Sequence, residues 1–335
     1  MEKYYKKGLC GITNLGNTCF MNSIIQCINA NRDLSDFFTN YNNENENKNT
    51  LEIKLVKEWI VLSTSLYSKN AVVTPESFHQ TIQLLSINKN NDTFSGYNQN
   101  DSQEFLQFLL ENLHTGLSKE VNMNVNGTAL NELDNMAIKA LNNWKVYFKN
   151  DYSQIIDIYY GQFYSKISSL DNINFKTESY DPFSNISLGI PDKETINIYD
   201  CFDNFCNKEN IDFKINADDT NKYIKKLNIW RFPEHLIIFF KRFNNHGVKI
   251  TKIIDFPIDN LNLNKYCVGY DQNDSIYNLY AVSNHEGNLF GGHYWAYTKN
   301  ADNNWYKFND KYVTLANKSD LINENAYCLF YKKKK

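Results

Sequence analysis

Gly11-Ile-Thr-Asn-Leu-Gly-Asn-Thr-Cys-Phe-Met-Asn22 is the stretch on which the reading of this chain turns. It sets Cys19 where a loop of small and amide residues (Gly11, Asn14, Gly16, Asn17, Thr18) becomes a helix. Beyond Cys19, Phe20, Ile24, Ile25 and Ile28 recur at helical spacing, with Met21 beside them. A thiol in the first turn of a helix feels the positive end of the helix dipole, which favours the thiolate. The bent loop lets backbone N–H groups and the Asn14 carboxamide face one small volume, as holding an oxyanion requires. Near the other end of the chain, Gly291-Gly-His-Tyr294 is followed by Trp305-Tyr-Lys-Phe-Asn-Asp310. A cysteine, a distant histidine and then an Asn or Asp is an order suited to nucleophilic catalysis.

That order is the one found in papain-type proteases. The segments around it go further, and the sequence resembles the catalytic domain of a ubiquitin-specific protease. Gly11 to Cys27 is similar to that family's cysteine box, and Tyr277 to Tyr297 with Trp305 to Val313 to its histidine box. Between them, Tyr97-Asn-Gln-Asn-Asp-Ser-Gln-Glu-Phe-Leu106, Leu236-Ile-Ile-Phe-Phe-Lys-Arg-Phe243 and Asn325-Ala-Tyr-Cys-Leu-Phe-Tyr331 resemble three further family segments, in the family's order. The resemblance implies an α+β, papain-like fold and a single catalytic domain over 8–332. Within it, a helical thumb would span about 8–150, fingers and part of a palm 151–235, and the rest of the palm 236–332. The site would lie between Cys19 on the thumb and His293 on the palm.

The chain's own pattern agrees with that class. Leu51 to Ser68 has amphipathic spacing, and Thr74-Pro-Glu-Ser77 reads as a helix start with Thr74 as N-cap and Pro75 in the first helical position. Asp101-Ser-Gln-Glu104 resembles a capping box leading into a helix that buries Phe105, Phe108, Leu109 and Leu113. From about Tyr159 short β-rich runs take over, among them Leu236 to Phe240, Tyr277 to Ser283, Tyr294 to Thr298 and Tyr327 to Tyr331. Helices first and strands later predict α+β. Asn40 to Thr50 reads as a polar, mobile loop, and Lys332 to Lys335 as a solvated basic tail.

The resemblance also implies roles. Cys19 would be the nucleophile, His293 the base and later the acid, Asn309 the residue orienting the imidazole, and Asn14 the oxyanion donor. Asp310 would share the orienting task or polarise the oxyanion loop. Gln99, Asp101, His285, Tyr294 and Gly292 would line the channel for ubiquitin's extended tail, with Glu104 either a cap or a substrate contact. Cys27 and Cys328 read as buried hydrophobes, and Cys10 lacks a following helix. Where many relatives carry two Cys-x-x-Cys zinc pairs, this chain reads Ser169-Leu-Asp-Asn172 and Asn216-Ala-Asp-Asp219, so no structural metal and no cofactor is expected. Cys201 and Cys206, separated by four residues, read as a coincidence of helix face.

A net charge of −3 gives no electrostatic reason to expect nucleic acid, and no apolar run reaches membrane-spanning length. Seven scattered cysteines without a signal segment fit a reducing, cytoplasmic or nuclear setting. The function expected is that of a monomeric thiol-dependent deubiquitinase, hydrolysing the bond after ubiquitin's final glycine. Two alternatives stand beside it: an inactive ubiquitin-binding protein, and a protease for another ubiquitin-like modifier.

Overall fold

The structure is a computed structural model that describes residues 2–41, 49–68, 70–171, 175–216 and 219–334. Of the loop expected over Asn40 to Thr50, residues 42–48 lie outside the described residues. Among the described residues the helices are α1 (Cys19–Asn29), α2 (Arg32–Thr39), α3 (Leu51–Ser68), α4 (Glu76–Asn88), α5 (Ser102–Leu117), α6 (Glu132–Phe148), α7 (Gln154–Tyr159) and α8 (Ile198–Phe205). Seven of these precede the strand-rich part, so the predicted α+β order is the one observed. Helix α6 had no counterpart in the sequence reading, and α8 interrupts the strands.

Local chemistry starts each helix. Asp101 caps α5, its Oδ1 accepting from the Gln103 and Glu104 N–H groups. Phe105, Leu109 and Leu113 on its inner face are completely buried. Removing such a side chain from water stabilises the fold by roughly 1.5–3 kcal/mol. Helix α4 begins one residue later than expected: Pro75 is its N-cap, and the Thr74 hydroxyl is turned to the Thr13 hydroxyl at 3.0 Å. That pairing belongs to the short parallel contact of Gly11–Ile12 with Val72–Val73, which ties the Cys19 loop to the start of α4.

The main sheet has eight strands among the described residues. Its spatial order is Tyr312–Ala316, Trp305–Asn309, Gly291–Lys299, Ile276–Asn288, Ala326–Lys333, His235–Lys241 and Ile186–Gly189, with Leu261–Asn262 pairing on Ile276–Asn288. Ile237 and Phe239 join the helical core on one face; Leu236, Ile238 and Phe240 join a second core around Phe202 and Ile254 on the other. Burial on both faces is why Leu236 to Phe240 is an unbroken apolar run instead of an alternating one. Helix α1 packs on the helical side, with the Ser23 and Ser283 hydroxyls 2.5 Å apart at the contact. This packing brings the start of α1 beside the Gly291–Lys299 strand.

Lys332 and Lys333 of the basic tail are not solvated, whereas Lys334 is exposed and Lys335 lies outside the described residues. The last strand runs through Lys333, with Lys332 opposite His235 and Lys333 opposite Tyr277. Their ammonium groups lie 2.7 Å from Asp33 and 3.0 Å from Asp271. Register, not composition, decides this, because the chain still has backbone partners there.

A second, separate sheet among the described residues has the order Lys176–Ser179, Gly161–Ser169, Tyr223–Arg231 and Lys208–Ile211, with Pro182–Phe183 pairing on Gly161–Ser169. Of the two stretches where zinc pairs were looked for, Asn172, Ala217 and Asp218 lie outside the described residues. Around them Phe175, Phe213 and Tyr223 form a ring cluster with centroids 5.0 to 6.1 Å apart. Asp219 accepts from the Tyr223 hydroxyl (2.6 Å) and from the Ile215 and Asn221 N–H groups. Aromatic packing and one carboxylate hub thus join the strand ends by contacts that require no metal. Treatment with a strong zinc chelator is therefore expected to leave turnover and melting temperature unchanged. A loss that added zinc restores would refute it. Cys201 is buried on α8 and Cys206 is its C-cap; both are free thiols.

Candidate active site

The loop before Cys19 is shaped by its own amides. Gly16 and Asn17 both take left-handed backbone conformations (φ 104° and 59°), tolerated by glycine and asparagine. The Asn14 Oδ1 accepts from the Gly16 and Thr18 N–H groups, each at 3.0 Å, closing a turn over the first residue of α1. Thr18 is the N-cap residue but makes no side-chain capping bond, its hydroxyl accepting from Leu15 N–H instead. Cys19 is the first residue of α1 and is buried.

His293 and Asn309 come from neighbouring strands, and Asp310 from the two-residue turn that follows Asn309. The His293 Nε2–H donates to Asn309 Oδ1 at 2.6 Å, which leaves Nδ1 for the Cys19 sulfur. The hydrogen bond to Cys19 is the main cause that pushes the His293 pKa up to about 9, with the Asn309 bond adding to it against partial burial. The Asp310 carboxylate makes its hydrogen bonds to side chains other than His293, while its charge still helps to raise the imidazole pKa. With φ 49° Asp310 turns away, and its Oδ2 accepts from Asn14 Nδ2 (3.0 Å) while its Oδ1 accepts from Asn22 Nδ2 (2.8 Å). Its backbone carbonyl accepts from Ile12 N–H at 2.9 Å. The approach is close: a Cβ on Gly11 would lie 2.3 Å from the Lys311 carbonyl oxygen. Asn14 is exposed, and its Nδ2 donates to Asp310 alone among the described residues.

The channel residues divide. Gln99, Gly292, His285 and Tyr294 do gather beside His293. Gln99 Oε1 accepts from Gly292 N–H at 2.7 Å, and the His285 and Tyr294 rings pack 4.5 Å apart beneath. Burial holds the His285 imidazole neutral, its pKa down at about 4. A Cβ on Gly292 would lie 2.2 Å from the Glu286 carbonyl oxygen and 2.5 Å from His285 Nε2, so only glycine fits there. Gly292→Ala is expected to displace His293 and lower kcat by about a hundredfold, the usual effect of an ångström's misplacement; wild-type kcat in a correctly folded variant would contradict this.

Asp101 also has a structural task. Its Oδ1 caps α5 and its Oδ2 accepts from the Tyr327 hydroxyl at 2.7 Å, so its half-buried carboxylate braces α5 against the sheet. Glu104 is exposed and has its own N–H capped by Asp101; no capping box forms.

A signature described as ubiquitin carboxyl-terminal hydrolase matches residues 10–331. The chain belongs to this family. Ubiquitin carboxyl-terminal hydrolase 2 of Homo sapiens is 34% identical over 347 residues, covering 99% of this chain and 56% of that protein. The Gallus gallus protein of the same name is 34% identical, covering 97% of this chain and 93% of its own length. The chain therefore spans only about half the length of several of the relatives it matches. Among solved structures, the SAGA Ubp8/Sgf11/Sus1/Sgf73 DUB module bound to ubiquitin aldehyde is similar with TM-score 0.74 and 28% identity over 99% of this chain and 71% of that one. The same module bound to monoubiquitin gives TM-score 0.75 at 27% identity, covering all of this chain and 71% of that one. The fold is thus the papain-like α+β fold of the ubiquitin carboxyl-terminal hydrolases.

One residue of the site escaped the sequence reading. Asn22 is 2% exposed and holds Asp310 from within α1, one turn beyond Cys19. The available signal was a row of amides at helical spacing, Asn22, Gln26 and Asn29, beginning three positions after Cys19. The raised His293 pKa also sets a pH dependence. A base whose pKa rises on folding binds its proton more tightly when folded, so the stabilisation is complete below the ordinary pKa of 6.5 and disappears as pH passes about 9. The kcat/KM profile should therefore fall on its alkaline side near pH 9, and Asn309→Ala should move that limb to lower pH. An alkaline limb indifferent to Asn309 would oppose the arrangement.

Proposed function

We propose that the chain is a thiol-dependent deubiquitinase acting on isopeptide or peptide bonds after the C-terminal glycine of ubiquitin. The observation that carries this is the Cys19–His293–Asn309 arrangement beside a channel floored by Gly292, in a family whose solved relatives hold ubiquitin or ubiquitin aldehyde.

In this mechanism the Cys19 thiolate attacks the glycine carbonyl carbon. The C=O electron pair moves onto oxygen, which Asn14 Nδ2–H and the backbone N–H groups of the Cys19 turn stabilise. The imidazolium of His293 then gives its proton to the departing lysine nitrogen as the C–N bond breaks, leaving a thioester. Neutral His293 next takes a proton from water, whose hydroxide displaces the thiolate and releases the carboxylate. Asn309 keeps the ring in one orientation through both transfers. Each step uses groups of this chain and water alone.

Turnover of a ubiquitin–lysine isopeptide, run beside fluorogenic derivatives of other modifiers ending in Gly-Gly, tests the reading. Preferred hydrolysis of the ubiquitin substrate is expected. Tight ubiquitin binding without turnover would establish a receptor, and preference for another modifier would reassign the substrate. A monomer acting in the cytoplasm or nucleus is part of this proposal, supported by the reduced cysteines and testable by light scattering and imaging.

A further inference from the structure

The two elements that carry Cys19 and His293 also end together, on the opposite side of the protein. From Cys19, α1 runs about 16 Å to Ala30, and from His293 its strand runs about 20 Å to Lys299. Between these trailing ends lies a cleft of ≈ 540 Å³ whose lining includes Ala30, Arg32, Lys299, Asn300 and Lys332 to Lys334. A smaller cavity continues it along the seam and shares Tyr4, Ala30, Arg32, Lys299 and Asn300.

The charge of this cleft opposes that of the chain. Among the described residues five cations line it (Arg32, Lys299, Lys332, Lys333, Lys334) against two carboxylates, Asp33 and Asp36, while the whole sequence carries −3. Both carboxylates are already engaged. Asp33 takes Lys332 at 2.7 Å and the buried His235 Nε2 at 2.9 Å; Asp36 takes Lys3 at 2.6 Å and the Tyr4 hydroxyl at 2.5 Å. Lys333 is held by Asp271. Lys299 has no ion pair among the described residues, and Lys334 reaches only the neutral Asn260 Oδ1 at 2.9 Å. The Asp33 and Leu34 N–H groups at the start of α2 are satisfied by Asn31 Oδ1, so the excess charge resides in side chains.

The geometry points to this cleft as a binding site for a small polyanion, of the di- or triphosphate kind, that bridges α1 and the His293 strand at their trailing ends. The volume lies within the range of small-molecule sites. The cations converge from α2, the Lys299 strand end and the Lys332–Lys334 strand end, which suits a compact, multiply charged ligand more than an extended chain. A ligand drawing Lys299 toward the end of α1 acts on the two elements that set the Cys19–His293 separation, so its occupancy changes kcat. This goes beyond the deubiquitinase reading, because binding is measured without substrate.

Titration calorimetry with inorganic tripolyphosphate should give saturable 1:1 binding. The double variant Lys299→Glu/Lys334→Glu should weaken it at least tenfold with an unchanged melting temperature, whereas Lys139→Glu/Lys193→Glu, the same charge change elsewhere, should not. Equal weakening by both pairs, binding without saturation, or indifference to Lys299 and Lys334 would overturn the site. Capture of an acidic phosphoserine peptide but not tripolyphosphate would replace the small-molecule ligand with a peptide and overturn the proposal. Saturation that leaves kcat unaltered would remove the coupling to α1.

Discussion

Cys19→Ser abolishes covalent capture of ubiquitin bearing a C-terminal electrophile and lowers hydrolysis by about 10⁴-fold or more. The magnitude follows from losing a nucleophile that works as a unit with its base. A hydroxyl at the start of α1 keeps the position but is far less readily ionised than a thiol. Cys10 provides the internal control. It is fully buried with its thiol turned to the Gly11 carbonyl, and Cys27 and Cys328 are buried with their pKa values pushed up by desolvation. Mass spectrometry of the adduct should place the label on Cys19 in the wild type. An undiminished adduct on Cys19→Ser would eliminate Cys19 as the nucleophile and the proposed mechanism with it.

Asn14→Ala should lower kcat by about 10²- to 10³-fold with little change in KM, the range for removing one oxyanion donor. The Asp310 carboxylate aims that donor, so Asp310→Asn should reproduce part of the loss, in kcat again. Asparagine is the informative replacement because it tolerates the left-handed backbone that Asp310 adopts. The two substitutions act on one hydrogen-bonded unit and should be clearly less than additive when combined. Additive losses would mean that Asp310 acts on something other than Asn14. Asn22→Ala should resemble the Asp310 variant, since it removes the donor that holds the other carboxylate oxygen.

Legibility differed from residue to residue for a physical reason. The start of α1 at Cys19, the α5 stripe and the strand at Leu236 to Phe240 were predictable because their signals lie within a few residues: a turn of amides, a 3.6-residue period, a continuous apolar run. Asp101 shows where such reading stops. Its place before a helix was evident, yet the second oxygen's partner, Tyr327, is 226 positions away. Lys332 and Lys333 looked like a free tail because four lysines in a row resemble solvent, whereas their strand partners make them structural.

The amino-acid order alone singled out the residues suited to chemistry, since Cys19, His293 and Asn309 each stand in a local context that fits the task proposed for it. Only the folded chain decided the division of labour between Asn309 and Asp310, the recruitment of Asn22, and the meeting of Gln99 with Gly292. Those pairings depend on strand register and on how α1 lies against the sheet. Hydrogen bonds between groups hundreds of positions apart leave no periodic trace in the sequence, because their geometry comes from packing that the whole core enforces.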